Sequence, residues 1–508
     1  MLSIAEPQLV VACGDPSEVD ETSPLLAVRS QEDAQWVGLE SQKGVARRES
    51  FGSRVASILS LVSNPKHWDR NALWDNVVVA PVACFPAVVV GLLLNILDAL
   101  SYGMILFPLG NPIFANLGSA GISMFYVSCI VSQLTISTGS IFKGGVGSEL
   151  IEVVPFFHNM AATITNMVGE DKPDAVIATT ITSYALSSMF TGVVFYLMAK
   201  FKAGYLISFI PHHILLGCIG GVGWFLVITG FDVTARMDGN LKYDLDTLKR
   251  LMQADTVPLW IIPLTLAVIL FYGQPRIRSK YFLSLYILAI PAAFYALAGA
   301  LNGPNLDHLR SGGWVFTGPP ADEPWWHFYT LYKLDQVHWG AIAQCISTML
   351  ALTFFSILHV PINVPSLALN MGKDDVDVDH ELKLHGYSNF LSGLAGSIQN
   401  YLVYSNSVLF MRSGGNTRLA GIELAVFTFL IMLIGPSLIG FIPVMMVGVL
   451  IFDLGFELLS EAVWQPRKKL KLVEYFTVMT IMLVMGIYDF MIGIGVGIVM
   501  GFMSAVFI

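Results

Sequence analysis

The sequence predicts an all-α polytopic membrane protein of 14 spans, arranged as a seven-plus-seven inverted repeat with one interrupted helix in each half. Three observations predict this. Hydrophobic residues make up 55% of the 508, charged residues 13%, and the mean hydropathy is +0.65. That balance marks chains with long membrane-spanning stretches. Apolar segments then follow one another in two sets of seven, divided by a wetter loop at 302–338 rich in Pro, Gly and Trp. An odd number of spans per half inverts the second copy relative to the first. Finally, the third segment of each set is broken by small polar residues and glycines, at 138–157 and at 400–421.

In chain order, residues 1–70 are polar and lack sustained periodicity, which predicts a disordered tail. There is no basic stretch followed by a short apolar run, so the tail does not read as a cleaved signal peptide. It contains Glu21-Thr-Ser-Pro-Leu25-Leu26, the acidic dileucine pattern that sorting adaptor complexes read in exposed cytosolic tails. A short pattern of this kind also arises by chance. The transmembrane domain is expected over 71–508, with spans near 77–107, 118–140, 147–164, 174–199, 205–231, 257–273 and 280–301. The second set falls near 339–369, 386–400, 401–413, 418–437, 440–460, 472–489 and 490–508. Segment 241–252 has helical spacing with mixed charge and suits a membrane surface. Trp325, Trp326, Tyr329 and Tyr332 suit an aromatic belt.

Orientation follows from basic residues in short loops. Lys200 and Lys202, then Arg276, Arg278 and Lys280, then Arg467, Lys468, Lys469 and Lys471 all fall on one side, together with Arg47, Arg48 and Arg54 of the tail. Both termini are therefore expected in the cytosol. The acidic stretch 374–381 falls on the same side but weighs little in this rule.

Several function classes are excluded. No basic stripe or nucleic-acid module is present. There is no phosphate loop ending in Lys-Ser/Thr, no H-E-x-x-H and no G-x-S-x-G, so neither an enzyme nor an ATP-driven pump is indicated. The five cysteines are scattered, without metal or disulfide spacing, and neither a cofactor nor a metal is expected.

The two breaks carry the function. An interrupted backbone in hydrocarbon is tolerated only where it is buried in protein or lines a wet cavity. Matched breaks in two halves are the best sequence pointer to a transporter's binding site. Gly145, Gly147 and Ser148 lie at the first, and Tyr404, Ser405, Asn406 and Ser407 at the second. After each break a half-helix begins, whose free N–H groups and partial positive charge suit a carboxylate. Asp98 sits deep in the first span, with Tyr102 one turn on. A carboxylate there costs several kcal/mol unless it is paired or protonated, and intramembrane carboxylates are functional by default. The alternative is a helix-end carboxylate held by backbone amides. Glu149 and Glu152 are three residues apart at the start of the third span's helix, on one face, suited to a ligand or to compensating the helix dipole. His359 in span eight could relay protons, although a single histidine more often serves structure. Asp453, Glu457, Glu423 and Asp489 fall near expected span ends, where snorkelling to water explains them.

Several motifs resemble the sulfate permease (SulP) family. They are Glu381-Leu-Lys-Leu-His-Gly-Tyr-Ser-Asn-Phe-Leu-Ser-Gly-Leu-Ala-Gly396, Thr417-Arg-Leu-Ala-Gly-Ile422 and Phe209-Ile-Pro-His-His-Ile-Leu-Leu-Gly-Cys-Ile-Gly-Gly-Val-Gly223. The likeness runs over about 75–508. It implies fourteen spans in two inverted repeats, with spans three and ten beginning as short strands whose half-helices point at the substrate. It also implies a homodimer, whose contact in family members rests partly on a cytosolic STAS domain beyond the membrane part; the sequence stops at Ile508, before any such domain. Two departures matter. Where many members carry an anion-holding arginine in span ten, this chain has Asn406. Where members often have Pro-Gln in span one, it has Leu97-Asp98. A cation is lost and an anion gained, which resembles the fungal vacuolar branch that moves basic amino acids. The expectation is a proton-coupled exchanger that imports arginine, lysine and histidine into the vacuole. On this expectation Asp98 is the cation-binding group, with His359 in proton coupling. An inorganic-anion permease of the same fold is the alternative, and a non-transporting membrane scaffold or sensor is the alternative from another class.

Overall fold

The computed structural model describes residues 79–204, 212–237, 243–277, 282–301, 306–316, 324–371, 377–488 and most of 492–500. The expected tail with Glu21, Leu25 and Leu26 lies outside them, as does Asp489.

A helix stands at each expected span up to residue 488. The first set comprises α1 (Ala80–Asp98), α2 (Gly118–Gly139), α3 (Val154–Val168), α4 (Pro173–Lys200), α5 (His212–Ala235), the short α6 (Leu245–Leu251), α7 (Val257–Gly273) and α8 (Phe282–Leu301). The dividing loop holds α9 (Leu306–Ser311) and α10 (His327–Thr330). The second set comprises α11 (Trp339–Gln344), α12 (Ile346–Asn370), α13 (Val378–Leu394), α14 (Tyr404–Arg412), α15 (Arg418–Leu438), α16 (Val444–Leu459) and α17 (Leu472–Leu483). α1 continues as a π-helical turn, Ala99–Gly103, so the segment Ala80–Gly103 runs 24 residues. At 1.5 Å per residue that is about 36 Å, enough to cross a hydrocarbon core of about 30 Å.

Two strands of two residues each stand where the apolar pattern broke. Strand β1 (Gly147–Ser148) and strand β2 (Tyr401–Leu402) pair antiparallel, Gly147 opposite Leu402 and Ser148 opposite Tyr401. Equivalent strands of two inverted repeats run in opposite directions, so an antiparallel pair is what the inversion dictates. Each strand supplies the other with the backbone partners that lipid cannot.

The helices pack in two groups. α1 to α4 pack with α12 to α15, the pair α4 and α13 most extensively, and α5 and α7 pack with α16 and α17. The groups meet more lightly, through α16 against Ala99–Gly103 and α8 against α1. α4 and α13 approach closely because glycines face each other. A Cβ on Gly192 would lie 2.8 Å from the Gly386 carbonyl oxygen, and one on Gly386 would lie 3.0 Å from the Gly192 carbonyl oxygen. Small residues let backbones approach where lipid offers no hydrophobic drive, and polar side chains then bond across the seam. Ser188 Oγ donates to Asn389 O at 2.9 Å, and on a neighbouring face the Thr191 hydroxyl meets that of Thr353 on α12 at 2.9 Å.

Three expectations are corrected. The ninth span was placed at 386–400, but α13 starts eight residues earlier and ends at Leu394. Asp377 caps it by accepting from the His380 N–H, so the acidic residues Asp377, Asp379 and Glu381 form a helix start. Gly396, at φ +70°, ends the helix, and the chain runs extended into β2. Glu149 precedes the helical turn Ile151–Val153 that leads into α3, so it does not share a helical face with Glu152. Asp453 does not reach water at a span end. It lies inside α16 with 4% of its surface exposed.

Candidate functional site

The strand pair is held by buried amide and imidazole side chains from flanking helices. Gln133 on α2 donates to Gly145 O at 3.0 Å and accepts from Gly147 N at 3.2 Å. Asn389 on α13 makes the same two-way bond with the backbone of Asn400, at 2.8 and 3.0 Å. His385 accepts from the Leu402 N–H through Nε2 at 3.0 Å and donates from Nδ1 to Glu381 O at 2.7 Å, which sets its neutral tautomer. The Tyr401 hydroxyl meets Ser356 Oγ on α12. Ser407 accepts from Val146 N at 2.8 Å and donates to Val403 O at 2.6 Å, tying the start of α14 to β1. Gly145, Gly147 and Ser407 are all buried and take part in holding the strand pair.

On this scaffold Asp98, Tyr102, Ser148 and Asn406 come together. Ser148 Oγ at the end of β1 donates to Asp98 Oδ2 at 3.2 Å. Asn406 Nδ2 in the first turn of α14 donates to the same oxygen at 3.0 Å. Tyr102, on the π-helical turn that follows Asp98, is an electrostatic neighbour of the carboxylate. One carboxylate thus joins the first span to both broken segments. Both partners are neutral, and among the described residues no lysine or arginine pairs with Asp98. Asp98 is partly buried.

The remaining expected residues fall into two sets. Ser405 is exposed in the first turn of α14, where helical N–H groups lack intrahelical partners, and Tyr404 is buried behind it. Glu152 is partly exposed and an electrostatic neighbour of Tyr102 and of His359. Glu149 is 1% exposed, and neither of its carboxylate oxygens has a hydrogen-bond partner, although Asp98 is its electrostatic neighbour. His359 is 9% exposed on α12, its ring 5.0 Å from that of Phe355 and its Nε2 without a partner. Sequence reasoning missed Gln133, His385 and Asn389. The signal was available for Gln133, a polar side chain inside an apolar and small-residue span, which is costly unless it bonds something; His385 and Asn389 lie in a helix with other polar residues and did not stand out. Among the described residues no group of His, Cys, Asp and Glu could hold a metal ion.

Comparison with known proteins adds the following. A model of the sulfate permease family matches residues 83–506. The chain is 50% identical over 423 residues to the vacuolar basic amino acid transporter VSB1 of Saccharomyces cerevisiae, a match covering 82% of this chain and 40% of that protein. The chain thus spans about two fifths of the length of that relative. Among solved structures, the transmembrane domain of a cyanobacterial bicarbonate transporter, BicA, superposes with a TM-score of 0.58 at 15% identity, over 81% of this chain and 96% of that one. The overall structure of SLC26A9 superposes with a TM-score of 0.62 at 16% identity, over 92% of this chain and 73% of that one.

Proposed function

The chain belongs to the sulfate permease family, and from that premise we propose that it is a secondary active transporter that carries basic amino acids into the vacuole in exchange for protons. The observation that carries this reading is the carboxylate of Asp98, bonded by Ser148 from one break and Asn406 from the other, with no lysine or arginine paired to it among the described residues. A site of this kind attracts an ammonium or guanidinium group. An ionised carboxylate only accepts hydrogen bonds, and such a cation only donates them. The first-turn N–H groups of α14, at Ser405 and Asn406, suit the α-carboxylate of the same substrate. The half identity to a protein named as a vacuolar basic amino acid transporter supports the same substrate class and compartment.

Exchange follows from competition. Asp98 holds either a proton or the substrate cation, so each crossing of one returns the other. Movement of the α1–α4 and α12–α15 group against the group of α5, α7, α16 and α17 exposes the site to alternate sides. Both termini face the cytosol in this reading, the tail motif at Glu21, Leu25 and Leu26 is read by a vesicle-sorting adaptor complex, and the transporter works in the bilayer as a homodimer.

The test is uptake of labelled arginine and of labelled sulfate by reconstituted protein, with and without an acid interior. Arginine uptake should depend on the pH gradient, and sulfate should not enter. Sulfate flux without arginine flux would assign an inorganic-anion carrier, and no flux from correctly folded protein would assign a non-transporting scaffold or sensor.

A further inference from the structure

The two helix groups also border a cavity that the Asp98 site does not use. It has a volume of about 170 Å³ and lies between the connector after α1, α3 and α5. Ile105 of the connector and His158 of α3 line it from one group. From the other, Phe225, Ile228, Thr229 and Asp232 line it, and their i, i+3, i+4 and i+7 spacing makes one face of α5 its wall. Asp98 is not a lining residue; Ile105 stands seven residues beyond it, about 10 Å at helical rise. In the orientation proposed above α1 and α5 both start at the cytosolic side, so the cavity lies on the lumenal side of Asp98.

The polar groups around this space accept hydrogen bonds. His158 Nε2 lies 2.7 Å from the Ile105 carbonyl oxygen, which can only accept, so Nε2 carries the hydrogen. Nδ1 is then the acceptor nitrogen of the neutral ring, and among the described residues no hydrogen bond reaches it. The Phe225 ring meets the imidazole edge to face, with centroids 5.3 Å apart, which fixes both rings across the seam. Asp232 is half-buried and Thr229 is buried. Arg236, one turn further along α5, does not line the cavity; its Nη2 donates to the Arg310 and Val315 carbonyls at 3.2 and 3.3 Å.

A carboxylate and an imidazole nitrogen that both accept, beside an aromatic ring, suit a ligand that only donates, which is an ammonium or guanidinium group. The volume limits how much of such a ligand enters. It is several times the roughly 30 Å³ that one water occupies, and well below the roughly 300 Å³ at which pockets for whole drug-sized ligands begin. One end of a basic amino acid fits.

We propose that this cavity is a second, lumen-side site for the cationic end of the substrate, held by Asp232 and His158 Nδ1 against the Phe225 ring. This rests on the reading of the chain as a carrier of basic amino acids and adds a binding step on one side of the membrane only.

The test uses the full chain in vacuolar vesicles whose cytosolic face is outward. Uptake of labelled arginine gives KM at the cytosolic face, and efflux from vesicles loaded with increasing labelled arginine gives KM at the lumenal face. Asp232→Asn should raise the lumenal KM about fivefold, the worth of one charge at about 4 Å in wet surroundings, with the cytosolic KM within twofold. Asp232→Glu keeps the charge and should keep the low lumenal KM. Ile228→Trp fills the cavity without touching a charge and should raise the lumenal KM in the same one-sided way. An unchanged lumenal KM in Asp232→Asn and Ile228→Trp would overturn the site, as would an equal rise on both faces or an equal loss in Asp232→Glu. If the unaltered protein carries no arginine in either direction, the transport reading fails first and takes the second site with it.

Discussion

Replacing Asp98 by Asn removes one charge and little else. Asn keeps the shape of Asp, and its side-chain oxygen can accept from Ser148 and Asn406 as the carboxylate does at 3.2 and 3.0 Å. The strand pair and α14 should therefore stay in place. The missing quantity is the attraction between the carboxylate and the substrate cation. At about 4 Å and an effective dielectric constant of about 20, that attraction is about 4 kcal/mol. Desolvation offsets part of it, and truncating one member of a close charge pair costs about 2–5 kcal/mol in measured cases. Taking about 2–4 kcal/mol, arginine affinity should fall between about 30-fold and 900-fold. The assay is arginine-induced thermal stabilisation of purified protein, alongside uptake into liposomes with an acid interior. Citrulline, the uncharged isostere of arginine, supplies the control. The unaltered protein should prefer arginine strongly, whereas the variant should bind the two about equally. Arginine affinity within twofold of the original, with the preference over citrulline intact, would refute the assignment.

Other consequences follow from neighbouring residues. Asn406→Arg would place a guanidinium against Asp98, so the substrate would have to displace an internal ion pair; arginine uptake should fall below a tenth, measured in the same liposomes. Gly147→Ala would bring a Cβ to 2.4 Å from Ser132 Oγ and 2.9 Å from Ile136 Cδ1, so the unfolding temperature in detergent should drop, in keeping with an overpacking cost of about 1–3 kcal/mol. His385→Ala would leave the buried Leu402 N–H without its acceptor, a loss of about 1–3 kcal/mol that should appear in the same melt. His359→Ala should flatten the pH dependence of arginine uptake, since an imidazole titrates near neutral pH; an unchanged pH profile would remove the proton-relay role.

Much of the architecture was legible because membrane burial writes itself in runs of apolar residues. The spans, the dividing loop and the two interruptions could each be read from their own stretch of chain. The site was half legible. Asp98 stood out as a charge inside a 24-residue apolar segment, and Asn406 as the place where a family arginine was missing. The expected span begins later than α13 because Asp377, Asp379 and Glu381 are acidic and lie outside the apolar pattern. In the fold Asp377 is a cap, and Glu381 is fully buried, accepting from Ser140 Oγ and the Ile141 N–H. Asp453 differs for the converse reason: a carboxylate near the end of an expected span reads as reaching water, but α16 buries it.

The sequence alone determined that this chain crosses a membrane repeatedly and that its backbone is interrupted twice, because hydrophobicity and helix-breaking residues act locally. Only the tertiary structure decided that Ser148 and Asn406 bond one carboxylate oxygen of Asp98. Those contacts depend on how far-separated segments pack, and packing is settled by close approach at glycines and by buried polar groups finding partners. Neither leaves a periodic trace along the chain.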